Sequence, residues 1–168
     1  MADVKIAYGS SAALTEAIEG LASSATWVAG WETGAVDNTS NKYLDYILAG
    51  KITVGTTPTI NTEIRVYVYG SINDTPTYPD VLDGTSSAET MTSAGIRDAS
   101  LKLAAVILVD ATTSDRTYWF APVSVASLFS GTLPKFWGAF ITHNTGVNLN
   151  STGTNHVIDA TPVYETIA

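Results

Sequence analysis

The chain contains no cysteine. It therefore forms no disulfide and has no thiolate metal site or cysteine nucleophile, so its stability has to come from its core, from association, or from both. No apolar run reaches the ~18 residues that a membrane-spanning helix needs. The first six residues lack the basic and long apolar regions of a secretory signal. We expect a chain that is made and folded in a cytoplasm, with no membrane partner.

Charged residues are also scarce, at 14% of the 168 residues, against about 25% in typical soluble domains. Eight Lys and Arg against sixteen Asp and Glu give a net charge of −8, and the basic residues form no cluster. Because phosphate backbones are bound by clustered cations, we expect no direct binding to nucleic acid. A surface so poor in charge favours a subunit of an assembly over a freely diffusing monomer.

Alternation of side chains is the strongest structural signal, and it is clearest at 63–69. Here Ile64, Val66 and Val68 alternate with an arginine and two tyrosines, which is the period of a strand whose two faces meet different surroundings. Further strand-like segments, separated by turn residues, lie at 4–8, 27–36, 43–54, 100–109, 117–120, 123–128, 136–142, 147–149 and 156–164. About eight strands at this spacing predict an all-β fold, an antiparallel two-sheet sandwich, with a jelly roll favoured among sandwiches.

Several segments carry more specific expectations. Gly50 interrupts its strand at a predicted bulge or tight bend, and Gly138 permits close backbone approach. The segment 100–109 is strongly apolar, which predicts a strand that is buried on both faces, although its Ala104–Ala105 pair would also fit a helix. Leu14, Ile18 and Leu21 recur at helical spacing, but the stretch is short, so helix and strand both stay open.

A single domain suits this length. We predict an N-terminal arm or short strand at 1–10, which either pairs with a neighbouring chain or frays, and one sandwich domain at 11–168. A long loop interrupts the domain at about 71–95, where turn signals are dense. An excursion of this length from a compact sandwich is usually functional or ordered by a partner.

Histidine, the usual general base near neutral pH, occurs only at His143 and His156. Neither lies in a recognisable catalytic motif, and no nucleophile elbow, paired-histidine zinc motif, phosphate-binding loop or dinucleotide fingerprint is present. We therefore expect both histidines to be structural or to face solvent. The chain is predicted to be no enzyme, with no catalytic residue and no cofactor-binding residue.

Acidic residues in the long loop raise the question of a metal site, since Asp74, Asp80 and Asp83 accompany Asn73 there. Calcium takes roughly six to eight oxygen ligands and is sometimes held by acidic loops. The spacing matches no calcium loop, however, and two prolines interrupt the ligand sequence. A solvated, turn-rich loop without metal is the favoured interpretation.

Four tryptophans and eight tyrosines raise the possibility of sugar binding on exposed rings. Trp31 and Tyr78 lie near predicted turns and are the rings expected to be exposed. Trp119 and Trp137 lie inside apolar segments and are expected to fill the core. For the aromatic residues as a whole, core packing and subunit contact are favoured over sugar binding.

A family resemblance rests on packing and turn motifs. These are Phe120–Val125, Gly131–Gly138, Asn144–Leu149 and Asn155–His156, together with Ala35–Asn38 and Tyr43–Asp45 earlier in the chain. Over roughly residues 14–164 the chain resembles small virion structural proteins encoded by tailed bacteriophages and prophages. In that group the segment corresponding to 14–21 reads as a strand, which lowers the expectation of a helix there.

The resemblance implies a capsid cement or decoration protein, which binds the outer surface of an icosahedral shell and stabilises it. The implied partners are the major capsid protein and further copies of the chain, as a dimer or trimer. The implied location is the virion surface, after synthesis in the host cytoplasm. Two other interpretations stay open: a tail or fibre component, and a carbohydrate-binding module.

Overall fold

The computed structural model describes residues 3–167, so Met1, Ala2 and Ala168, which belong to the predicted arm and domain ends, lie outside the described residues. Within that range the chain forms two antiparallel sheets that pack face to face. The predicted all-β, two-sheet sandwich is confirmed. Eleven strands replace the expected eight, partly because β2 and β4 are only two residues long. The jelly-roll subclass stays a prediction.

The elements follow one another along the chain. The strands are β1 (Val4–Tyr8), β2 (Ala12–Ala13), β3 (Ala29–Glu32), β4 (Val36–Asp37), β5 (Asp45–Thr53), β6 (Thr62–Ser71), β7 (Ser87–Thr90), β8 (Lys102–Val109), β9 (Thr117–Ser124), β10 (Phe136–His143) and β11 (Val157–Ile167). The helices are α1 (Ala94–Ser100) and α2 (Val125–Leu128), with one 3₁₀ turn at Gly153–Asn155. The first sheet has the order β1-β11-β5-β9, with β2 also on β11, and the second has the order β7-β3-β10-β6-β8, with β4 also on β10.

The main core lies between the two sheets. The alternation of side chains along each strand determines which residues belong to this core, because every second side chain of a strand points to the same face. From β5, Leu48 and Ile52 point inward, and from β6, Ile64 and Val66 do the same; all four are fully buried. Trp137 of β10 is also fully buried in this core, as predicted.

A second core lies on the outer face of the second sheet. Tyr67 and Tyr69 of β6 point away from the sandwich, yet both are buried. They are covered by the segment 72–101, here called the cover segment, whose Leu82 and Met91 pack against them. The segment 71–95, which was predicted to be a long loop, is therefore partly regular and packed against the sheet. It contains β7 and the start of α1.

Residues 14–21 form neither the helix nor the strand that the sequence left open. Leu14 and Ile18 are buried at the spacing that suggested a helix. The Leu14 N–H donates instead to the distant carbonyl of Ile158 (2.8 Å), while the Ile18 N–H donates locally, to the Glu16 carboxylate (2.9 Å). One tertiary bond and one side-chain bond thus stand where a helix would have its backbone bonds.

Two further predictions need correction. The strand at 100–109 is not buried on both faces, because β8 is the edge of the second sheet and its outward side chains are exposed. The pair of strands expected around Pro122 is one continuous strand, β9, followed by helix α2 over most of 123–128. Pro122 is tolerated because β9 is an edge strand, where a missing N–H need not break a ladder.

The prediction for Gly50 agrees with the geometry, whereas the close approach at Gly138 comes from a side chain and not from backbone. The pairing of β5 with β9 shifts register between Leu48 and Gly50, which is the predicted irregularity. At Gly138 a Cβ would collide with the Tyr69 ring and hydroxyl on the paired strand. Because Gly138 has no side chain, the Tyr69 ring has room to pack against β10, where the cover segment buries it.

Gly138→Ala is therefore expected to lower the free energy of unfolding by about 1–3 kcal/mol, the usual cost of overpacking a core. Urea denaturation measures the change. Gly95→Ala is the control, since helical Gly95 has no close neighbour; this variant is expected to be neutral or more stable by up to about 1 kcal/mol. Equal stability of Gly138→Ala and the parent protein would contradict the packing described for Tyr69.

Candidate interaction surfaces

The two chain ends form a projecting ribbon. Strand β1 pairs only with the last part of β11, from Tyr8 opposite Val163 to Val4 opposite Ile167. The neighbouring strand β5 ends its pairing with β11 at Val163, so the residues beyond it pair with β1 alone. We call Val4–Tyr8 with Tyr164–Ile167 the terminal ribbon. The predicted short leading strand at 4–8 thus exists, and it is paired within the chain.

One face of the terminal ribbon is mostly apolar and open to solvent, with the charged Glu165 opposite Ile6. Val4, Ile6 and Tyr8 share this face by alternation, and Ile167 lies opposite Val4. Their exposed fractions are 64%, 60%, 67% and 76%. A two-stranded ribbon with an exposed apolar face is only marginally stable in water, which marks it as a contact surface.

A second apolar surface lies on β8. Leu103, Val106 and Leu108 point outward from the edge of the second sheet, with exposed fractions of 46%, 49% and 55%. The cover segment ends at Leu101, which borders a shallow pocket together with Leu103, but it leaves all three side chains about half exposed. Because β8 lies beside β9, at the far edge of the first sheet from β1, this surface and the terminal ribbon occupy opposite sides of the sandwich.

Trp119 was expected in the core, and this prediction is wrong. Its neighbour Phe120 points inward and is buried, so alternation turns Trp119 outward, where 72% of it is exposed. It pairs across the sheet with Lys51, whose Nζ lies 5.9 Å from the ring centroid. The result is an exposed aromatic ring beside a cation on the outer face of the first sheet.

Trp31 and Tyr78 were expected to be exposed, but both are half-buried. The Trp31 indole N–H donates to the Ser86 hydroxyl (3.0 Å), and the ring lines a shallow cavity together with Glu19 and Glu89. The Tyr78 ring packs edge-on against Tyr69 at a centroid distance of 5.3 Å. Both aromatic rings therefore help to fix the cover segment.

Both histidines are buried and structural, which agrees with one of the two expected alternatives. The Nε2–H of His143 donates to the Leu21 carbonyl (2.9 Å), and its Nδ1 lies 3.0 Å from the Thr145 hydroxyl, which donates to the Val147 carbonyl. Burial lowers the pKa of His143 to about 4, so the ring is neutral near pH 7. His156 likewise bonds to backbone, accepting from the Thr53 N–H and donating to the Asn150 carbonyl.

The acidic residues of the predicted loop do not converge. Asp80 accepts from the backbone and hydroxyl of Thr92, Asp83 caps a local turn, and Asp74 pairs with Lys135 (2.6 Å). Among residues 3–167, no three His, Asp or Glu side chains are grouped so that they could hold a metal ion.

One buried carboxylate was missed by the sequence analysis. Glu32 of β3 is fully buried and accepts hydrogen bonds from the backbone N–H groups of Asp83 (3.1 Å) and Gly84 (2.7 Å). Burial raises the pKa of Glu32 above its usual value. This carboxylate fastens the cover segment to the second sheet, a long-range contact with no local sequence signal.

Comparison with protein-family models, with curated proteins and with solved structures found no match to this chain. None of the helices in the described part of the chain is both long and apolar enough to cross a membrane. The functional argument therefore rests on the surfaces that the chain itself presents.

The buried His143 makes stability depend on pH. Its pKa is about 4 in the folded chain and near 6.5 when unfolded, so its contribution is complete above pH 6.5 and is lost as the pH falls towards 4. The loss is on the order of 3 kcal/mol. Glu16 and Glu32, whose pKa values are raised by burial, act in the opposite direction.

Comparing His143→Gln with the parent protein isolates this effect. In urea denaturation at pH 7 and pH 4.5, the variant is expected to be clearly less stable at pH 7, with the difference shrinking at pH 4.5. A difference that stays constant with pH would contradict a neutral, buried His143.

Proposed function

We propose that this chain is a non-enzymatic virion structural protein, which binds the outer surface of a tailed-bacteriophage capsid and stabilises the shell. The observation that carries the proposal is the placement of two exposed apolar surfaces, the terminal ribbon and the outward face of β8, on opposite sides of one sandwich. A protein that reinforces a lattice has to contact two neighbours at once, and this arrangement provides the two contacts. The partner proposed for shell binding is the major capsid protein.

The chemistry of the exposed residues supports attachment over catalysis. Edge strands present unpaired backbone groups next to apolar side chains, which is the arrangement used for strand addition and for flat protein interfaces. Many copies, each adding a modest interface, strengthen a lattice through multivalency. The two buried histidines and Glu32 instead hold loops to the sheets through hydrogen bonds to backbone.

Co-sedimentation with shells tests the proposal. The purified protein is incubated with expanded shells and with unexpanded procapsids of the phage that encodes it, and stoichiometric binding to expanded shells is expected. Leu108→Lys is expected to weaken shell binding at least about tenfold, since an apolar contact becomes a charged one. The new lysine lies opposite Glu63 on the paired strand, so the fold should tolerate it.

Ile72→Lys is the matched control, because Ile72 is 75% exposed but lies at the start of the cover segment. It is expected to bind shells as the parent protein does. Recovery of the parent protein from the tail fraction, or no binding to either kind of shell, would overturn the proposal.

Exposed Trp119 favours one second candidate, a carbohydrate-binding function that aids adsorption. An open indole face stacks readily on a sugar ring, and Lys51 beside it supplies a hydrogen-bond donor. This candidate differs from the sequence-based one, which placed the sugar platform at Trp31 and Tyr78.

A glycan array followed by tryptophan fluorescence titration of any hit tests this second candidate. If it is correct, a glycan binds, and Trp119→Ala loses that binding while Trp31→Ala retains it. If the array shows no binding at high protein concentration, or if Trp119→Ala binds unchanged, Trp119 is not a sugar platform.

A further inference from the structure

The free edge of the terminal ribbon has a defined hydrogen-bonding pattern. The Gly9 N–H donates to the Pro162 carbonyl (2.9 Å), directly after the registered pair of Tyr8 with Val163. Because ladder bonds alternate along an antiparallel pair, Ala7 and Lys5 also direct their backbone groups towards β11. The N–H and C=O groups of Val4, Ile6 and Tyr8 therefore point to the other edge, where no described strand pairs with them.

We infer that this edge pairs with the same edge of a second copy of the chain, antiparallel about a two-fold axis at Ile6. In this register Ile6 lies opposite Ile6 of the other copy, and Val4 lies opposite Tyr8 in both directions. Each outward-pointing N–H of these three residues then donates to a carbonyl of the other copy, which gives six backbone hydrogen bonds between the two copies. The two ribbons become one four-stranded sheet.

Side-chain chemistry favours a second copy as the occupant. The exposed Val4, Ile6 and Tyr8 of one copy meet the same three residues of the other, so the apolar face becomes continuous across the seam. On the opposite face Lys5 meets Ala7, and no like charges lie directly opposite each other. Shifting the register by two residues, with Val4 opposite Ile6, would place Lys5 against Lys5. The opposite shift, with Ile6 opposite Tyr8, would leave Val4 unpaired with any of the three residues, so the register centred on Ile6 retains the most pairs.

This inference goes beyond capsid binding and does not depend on it. With the ribbons paired, a dimer presents its two β8 surfaces at its far ends, which leaves them free for other partners. Dimerisation without shell binding would refute only the proposed function, and shell binding by a monomer would refute only this inference.

Analytical ultracentrifugation of the full chain tests it, with a dimer expected for the parent protein. Ile6→Pro removes one edge donor without touching the internal ladder, and proline is tolerated on an edge strand in this orientation. Ile6→Lys is a second variant, which brings two ammonium groups face to face across the axis, while within each chain the new lysine lies opposite Glu165 on β11 and preserves the internal pair. Both are expected to be monomers with an unchanged circular-dichroism spectrum.

Ile72→Lys, at an exposed position outside the ribbon, is expected to remain a dimer. A parent protein that is monomeric at high concentration, or an Ile6→Lys variant that still dimerises, would overturn the inference. The absence of native cysteine allows a test of register: under mild oxidation, a mixture of Lys5→Cys and Ala7→Cys is expected to give a disulfide-linked heterodimer. A mixture of Val4→Cys and Ala7→Cys, whose side chains lie on opposite faces, is expected to give none; crosslinking of this control mixture alone would exclude the register.

Discussion

The structure depends on strand β6 being apolar on both faces. Ile64, Val66 and Val68 point into the sandwich, while Tyr67 and Tyr69 point away from it, and all five are buried. A second sheet can cover only one of these faces, so the other requires a third layer, which the cover segment supplies. Gly138, which makes room for Tyr69, and Glu32, which fastens the cover segment to β3, both serve this requirement.

The position of the cover segment determines which apolar surfaces remain exposed and can therefore contact other proteins. The cover segment buries the outer face of the second sheet over β10 and β6, but it leaves the outward side chains of β8 about half exposed. On the other side of the sandwich, the terminal ribbon extends beyond β5. Apolar surface is therefore left at two strand edges on opposite sides. If the terminal ribbon joins two copies, the two β8 surfaces lie at opposite ends of the dimer. Each would then be free to bind a different capsid subunit, so that one dimer connects two subunits.

Sequence reasoning worked where the signal was local and failed where the contact was distant. Alternation predicted most of the strands and the β-sandwich, and the glycine at position 50 predicted the irregularity within β5. Alternation could also have separated Trp119 from Trp137, because an inward Phe120 requires an outward Trp119; judging each by its apolar neighbours gave the wrong answer. The burial of Glu32 and the irregular backbone at 14–21 depend on partners far along the chain, and no local pattern encodes them.

Electron cryo-microscopy of the protein bound to expanded shells tests the central claim most directly, since it shows which surface touches the shell. The account predicts that Leu103, Val106 and Leu108 of β8 lie against the major capsid protein, with the ribbons of two copies paired through β1 and the cover segment facing solvent. Density in which the cover segment contacts the shell, while β8 and the terminal ribbon are both exposed, would contradict it.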